Sequence, residues 1–326
     1  MPAYWFAAST EEFTPSQMLE QSMAAEAAGF DGLGCSDHFA PWWPEGQASQ
    51  AWVYLAALGQ RTELPFGTGV TPIVHHYHPG LVAQAWMSLA DLYPGRPFLG
   101  VGSGEALNEV PLGLDWPEPG EMLERFDTGL EAIRRLWDGE TVTMDAGWFR
   151  LKEAKLYTLA SERPKLYVSA FGEQAAAIAG RHGDGLWTLA DPEAAPPVIE
   201  AYRKACRDNG REAGEIIVQS GFCLHDDEEA AIADTKKWKA TQLDESYLED
   251  LHDPKAMFEK ADAEVSDEEF AKKGFIVSSD PGFHVERIRA MHDLEPTVVC
   301  LQGIGSLDPV GSVERYGREV LPQLRG

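Results

Sequence analysis

Phe30-Asp31-Gly32-Leu33-Gly34-Cys35-Ser36-Asp37-His38-Phe39-Ala40-Pro41-Trp42-Trp43 begins as an apolar run and ends in reactive side chains. The run from Phe30 to Cys35 reads as a buried strand, and Pro41 prevents it from continuing. From Asp37 the chain packs an acid, an imidazole, a phenyl ring and two indoles into seven positions. A buried strand that empties into a loop of this kind predicts a scaffold with its function at strand ends.

Strand-like and helix-like runs alternate on both sides of this stretch. Strands are expected at Tyr4–Ala8, Gly32–Ser36, Pro65–Val70, Phe98–Val101, Lys165–Ala170, Gly185–Thr188, Ile216–Leu224 and Thr297–Leu301. Between them lie helical periods, including Gln17–Ala28 after Thr14-Pro15, Pro79–Leu92 with proline in its first turn, and Met122–Trp137. About eight strand–helix units predict an α/β chain whose parallel sheet closes into a (β/α)8 TIM barrel. A doubly wound open sheet is the alternative. One domain over 1–326 is expected, with two insertions. A hairpin falls near 141–151, turning at Asp145-Ala146-Gly147 between Thr141–Met144 and Trp148–Leu151. A helical, acidic excursion falls near 226–273, too long for an ordinary connection. Phe275–Ser278 reads as a short strand or loop, and Val313–Leu324 as the last helix.

The 326 residues are 44% hydrophobic, enough for a large core. Acidic residues outnumber basic ones, 53 to 27, for a formal charge of -26. Such a field repels nucleic acid and anionic membranes, so neither is an expected partner. The four cysteines, Cys35, Cys206, Cys223 and Cys300, form no CxxC pair and predict buried free thiols in a reducing, cytoplasmic setting. No apolar run is long enough to span a bilayer.

The strand ends gather a compact set of candidates. They are Asp37, His38, Trp42 and Trp43; Gly69, Val70, His75, His76 and Tyr77; Gly102 through Glu109; Ser169, Ala170, Phe171 and Gly172; and Trp187 with Thr188. Gly102-Ser103-Gly104 lacks both the P-loop lysine and the third glycine of the dinucleotide fingerprint. His75, His76 and His78 are too close along one loop to converge as metal ligands, and no metal is expected. Glycines that admit backbone and indoles that stack point to a flat heteroaromatic cofactor. His38 suits proton transfer near neutral pH, and Glu105 suits an acid or an electrostatic partner.

Three of these motifs together resemble the luciferase-like oxidoreductases. They are Ser36-Asp37-His38-Phe39 with Pro41-Trp42, Gly100-Val101-Gly102-Ser103-Gly104-Glu105-Ala106-Leu107-Asn108-Glu109, and Ala179-Gly180-Arg181-His182-Gly183-Asp184-Gly185. Within that family they are similar to the branch using the deazaflavin coenzyme F420, with FMN as the alternative cofactor. The resemblance implies a barrel with insertions, a homodimer, and hydride transfer between the deazaflavin and an alcohol or carbonyl compound. It implies that Asp37 meets the cofactor's hydroxylated ring edge and that His38 is the base on the substrate hydroxyl. Trp42 lines the reacting face and Glu105 donates a proton near ring N1. Gly69-Val70 corresponds to a bulged cis peptide behind the ring. Ser103, Asn108 and the Ser169–Gly172 segment match cofactor positions, although Phe171 replaces an expected small residue. Trp43, His75, His76, Tyr77 and Trp187 are the expected substrate lining.

The family's sugar-phosphate enzymes carry a basic residue where this chain has Leu189-Ala190-Asp191-Pro192. With only Lys260 and Lys273 in reserve, the expected substrate is an uncharged hydroxyl or carbonyl compound. The alternatives are an F420-dependent glucose-6-phosphate dehydrogenase and an FMN-dependent luciferase-like monooxygenase.

Overall fold

Eight parallel strands close on themselves in chain order. They are β1 (Ala3–Ala8), β2 (Gly32–Cys35), β3 (Phe66–Pro72), β4 (Pro97–Gly102), β7 (Lys165–Ser169), β8 (Gly185–Leu189), β9 (Glu215–Leu224) and β11 (Val298–Gly303). Pairing of β8 with β9 and of β11 with β1 completes the ring, so the open-sheet alternative is excluded. This computed structural model describes residues 1–326, the side chains of Leu248 and Lys273 excepted. The strands read as apolar runs because both faces are covered. Their inner face holds Trp5, Phe98, Tyr167 and Trp187, with Trp5 stacked on Phe98 at 4.7 Å.

The helices form the outer layer. For α1 (Pro15–Ala28), Thr14 and Gln17 form a capping box and Gly29 closes the end at φ 92°. The others opposite the strands include α2 (Ala51–Leu58), α3 (Pro79–Leu92), α5 (Pro119–Trp137), α6 (Glu173–His182), α7 (Ala195–Asp208) and α11 (Pro281–Met291). A one-turn helix, α4 (Ala106–Glu109), follows β4 with Glu105 at its N-cap position. The last helical stretch runs from α12 (Pro309–Arg315) through a π turn (Tyr316–Val320) into α13 (Leu321–Arg325).

The hairpin is present as β5 (Val142–Asp145) and β6 (Arg150–Ala154), with its return arm later than expected. Trp148 leaves the ladder because its Nε1 donates to Thr128 Oγ1 on α5, and Phe149 is buried beside it. The excursion is helical: α8 (Glu228–Thr235), a 3₁₀ segment (Lys236–Gln242), α9 (Glu245–Leu248), α10 (Pro254–Glu264) and a π segment (Glu269–Gly274). It ends in β10 (Ile276–Ser278), which pairs with Phe222–Leu224 of β9.

One ionic cluster joins α5 to the β7–β8 region. Asp184 accepts from Arg134 Nη2 at 2.8 Å, Arg163 Nη1 at 2.7 Å and the Leu166 amide at 2.9 Å. Burial alone would raise its carboxyl, but these donors outweigh burial and hold it at about 2, below the ordinary 3.8. Its contribution to stability is therefore complete above the unfolded value and fades as pH falls through about 2. Asp184→Asn is expected to cost about 2 kcal/mol at neutral pH. Thermal melts from pH 6 to 2 check this: the variant should show a shallower acid decline than the parent. Parallel curves would refute the assignment.

Candidate active site

The C-terminal ends of β1 to β4 converge on His38. Its Nε2 lies 3.4 Å from Glu11 Oε1 and 3.8 Å from Glu105 Oε2. Glu11 follows β1 and is 2% exposed. Thr10 Oγ1 donates to its Oε2 at 3.1 Å, and Ser36 Oγ donates to the same oxygen. Trp42 Nε1 reaches its Oε1 at 3.4 Å. Asn108 on α4 ties the loops together: its Nδ2 donates to Glu105 Oε2 at 2.7 Å, and its Oδ1 accepts from the Phe39 amide at 2.8 Å.

This clustering moves the proton affinities. Burial works against a charged His38, but Glu11, Glu105 and Asp37 together hold its pKa above the ordinary imidazole value. Burial also raises Glu105, helped by Glu11 and Glu109 and opposed by His38. A histidine that favours its proton beside a carboxylate that resists losing one is an arrangement for moving protons.

Asp37 is 3% exposed and works as a frame. It accepts from Trp52 Nε1 at 2.9 Å, Thr71 Oγ1 at 2.7 Å and Tyr77 OH at 3.3 Å. Trp52 and Tyr77 stack at 4.3 Å. Burial raises Asp37 despite the Thr71 and Trp52 hydrogen bonds. His76 donates its amide to Glu109, and its Nδ1 lies 2.9 Å from the same carboxylate. His75 Nδ1 lies 2.8 Å from Arg125 Nη1, and burial lowers its pKa. These two histidines brace the loop from separate sides.

The bulge is where the family resemblance implies it. The β3–β4 register shifts between Thr68 and Thr71, and Gly69-Val70 is a cis peptide. An added Cβ on Gly69 would lie 2.3 Å from Trp187 Cζ2, so only glycine fits between the bulge and that ring. Val70 leans on Gly100 and Gly102, where an added Cβ would come within 3.3 Å and 2.7 Å of its methyls. Ser103 is half-buried beyond β4. Ser169, Ala170, Phe171 and Gly172 lead into α6, with Gly172 at its N-cap and space around it. The open helix start at Gly172 suits an anionic group.

Two expected lining residues do not face His38. Trp187 is 2% exposed inside the barrel, packed by Trp5, Phe98 and Tyr167 and donating from Nε1 to Gln219 at 2.7 Å. Trp43 is buried under the excursion, edge-on to Trp238 at 5.2 Å with the Lys237 ammonium over its ring. Trp42 does face the site, 5.3 Å from His38 by ring centroids. Across it lies Tyr247 of α9, 5.9 Å away, and Phe171 meets Tyr247 edge-on at 5.6 Å.

Glu11 and Tyr247 escape the sequence reading. Glu11 is the third residue after β1, as His38 is after β2, and the rule that selects Asp37 and His38 reaches it as well. Tyr247 has no such signal. The excursion that carries it is fastened by Glu12, which accepts from Trp238 Nε1 at 2.9 Å and pairs with Lys237 at 2.7 Å.

The described lysines of the excursion are engaged by carboxylates. Lys260 pairs with Glu245 and Glu264, Lys239 with Asp262 and Asp267, and Lys272 with Glu228. Lys273's side chain lies outside the described set. Asp191 lies in the turn before α7, accepting at Oδ1 from the amides of Glu193 and Ala194. Among the described residues no helix is long and apolar enough to cross a membrane.

The family described as luciferase-like monooxygenase matches residues 4–297. Curated relatives named F420-dependent glucose-6-phosphate dehydrogenase include one from Microbacterium testaceum, 37% identical over 99% of this chain and 97% of its own length. Another, from Nakamurella multipartita, is 36% identical over 99% of this chain and 96% of its own. A solved F420-dependent secondary alcohol dehydrogenase, in complex with an F420-acetone adduct, superposes with a TM-score of 0.93 at 28% identity, covering 100% of both chains.

Proposed function

The chain belongs to the luciferase-like monooxygenase family, and we propose that it is a coenzyme F420-dependent dehydrogenase acting on a hydroxyl or carbonyl substrate. The observation that carries the reading is the buried Glu11–His38–Glu105 cluster at the strand ends, beside the Gly69-Val70 bulge. When bound, F420 supplies a two-electron hydride acceptor or donor and does not activate oxygen. Gly69-Val70 and Ser103 would hold its ring, and Ser169 to Gly172 at the start of α6 its anionic side.

The remaining work belongs to this chain's residues. Oxidation of an alcohol releases a hydroxyl proton as hydride leaves the adjacent carbon. The Glu11–His38–Glu105 cluster receives that proton, and Trp42 with Tyr247 covers the approach and excludes water. Asp37 keeps Trp52, Thr71 and Tyr77 in place beneath the loop.

For the substrate, whole-chain likeness to glucose-6-phosphate dehydrogenases supports glucose 6-phosphate more strongly than the loop at Asp191 supports an unphosphorylated compound. A phosphate at Lys260 would displace Glu245 or Glu264 from it. A second reading, a small secondary alcohol, is favoured by those engaged lysines. Deazaflavin bleaching with glucose 6-phosphate, glucose and 2-propanol decides between them. We expect the highest kcat/KM with glucose 6-phosphate, rising with moderate salt as the protein's negative field is screened. A higher kcat/KM for 2-propanol at every salt concentration would favour the second reading.

A further inference from the structure

Asn108 is 0% exposed, and its amide orientation is decided by the backbone around it. The amides of Phe39 and Ala40 approach its Oδ1 at 2.8 Å and 3.3 Å, and both can only donate. The other end is therefore the NH₂ group. It donates to Glu105 Oε2 at 2.7 Å and stands 3.3 Å from His38 Nδ1. A donor facing Nδ1 requires a lone pair there, and a neutral ring then carries its proton on Nε2. Nε2 is the nitrogen that faces Glu11 Oε1 and Glu105 Oε2, both acceptors.

We propose that Asn108 is a positioning residue that holds neutral His38 as the Nε2–H tautomer. His38 thereby presents a hydrogen-bond donor on the side of Glu11 and Glu105. The inference refines the proton chemistry proposed above and rests on that reading only for its catalytic consequence. The competitor is the Ala40 carbonyl, which favours a protonated ring. The charged groups around the ring are Glu11 from the loop after β1, Glu105 from the start of α4, and Asp37 from its own loop.

The test needs neither cofactor nor substrate. Long-range ¹H–¹⁵N correlation of ring-labelled protein reports the tautomer of each histidine, and His38→Gln identifies the His38 signals. The expected result is Nε2–H in the full-length parent, above the ring's titration. Asn108→Asp replaces the donor with an acceptor. It should move the proton to Nδ1 and shift the ring's titration to higher pH, while Asn108→Ser should leave a mixture. An Nδ1–H ring in the parent would overturn the proposal whether or not the variants fold. So would an unchanged Nε2–H ring in Asn108→Asp. Failure of F420 turnover with the tautomer as expected would instead count against the dehydrogenase reading.

Discussion

Replacing His38 with alanine is expected to lower turnover at saturating substrate by about 10²–10⁴-fold, the scale for losing a positioned proton-transfer group. His38 Nε2 lies 3.4 Å from Glu11 and 3.8 Å from Glu105, so its removal takes away the group between the two carboxylates. The variant should still bind F420 with an affinity close to the parent's, because the bulge at Gly69-Val70 and the start of α6 do not touch the imidazole's proton. Stopped-flow bleaching and an equilibrium titration on the same preparation check both halves. Normal turnover would remove His38 from the mechanism, and loss of F420 binding would make its role one of cofactor placement.

Glu11→Gln carries the second large effect. The substitution keeps a polar side chain beside Ser36, Thr10 and Trp42 but removes the charge nearest the His38 Nε2. Turnover should fall about 10²-fold or more, as when the carboxylate partner of a working histidine is neutralised. The pH profile gives a second readout. Glu11 is the largest of the influences that raise His38. A raised value keeps the ring charged to higher pH, so the midpoint that His38 contributes to the rate profile lies above that of an ordinary imidazole. Without Glu11 that midpoint should move down. A profile that stays put, or moves up, would mean that Glu11 does not act on His38.

Much of the fold is legible in the sequence because a parallel barrel writes its period plainly: buried strands, amphipathic helices and short turns repeat around the ring. The two insertions show as breaks in that rhythm, and the loop from Asp37 to Trp42 shows as chemistry after a strand. What stays hidden is which way a side chain turns at a strand end. Glu11 and Glu12 are adjacent acids in a chain rich in acids, yet one faces His38 and the other fastens Trp238 and Lys237. Trp42 and Trp43 divide likewise, one toward the imidazole and one into the excursion's core. Trp187 is hidden by the same ambiguity, since a residue near a strand end can face the barrel interior. Tyr247 comes from an insertion whose docking depends on distant partners, and spacing carries no trace of it. Asn108 is recognisable as a motif residue, but its four polar contacts emerge only when α4 folds against the loop after β2.

The central claim is that this barrel carries out hydride chemistry with a deazaflavin. Equilibrium titration of the purified protein with F420 and, separately, with FMN tests it most directly, because the two cofactors share a flat tricyclic ring and differ at the atom that decides between hydride transfer and oxygen activation. Saturable, tight binding of F420 is expected, with at least a hundredfold weaker binding of FMN, about 2.7 kcal/mol of discrimination. Tight FMN binding with negligible affinity for F420 would contradict it.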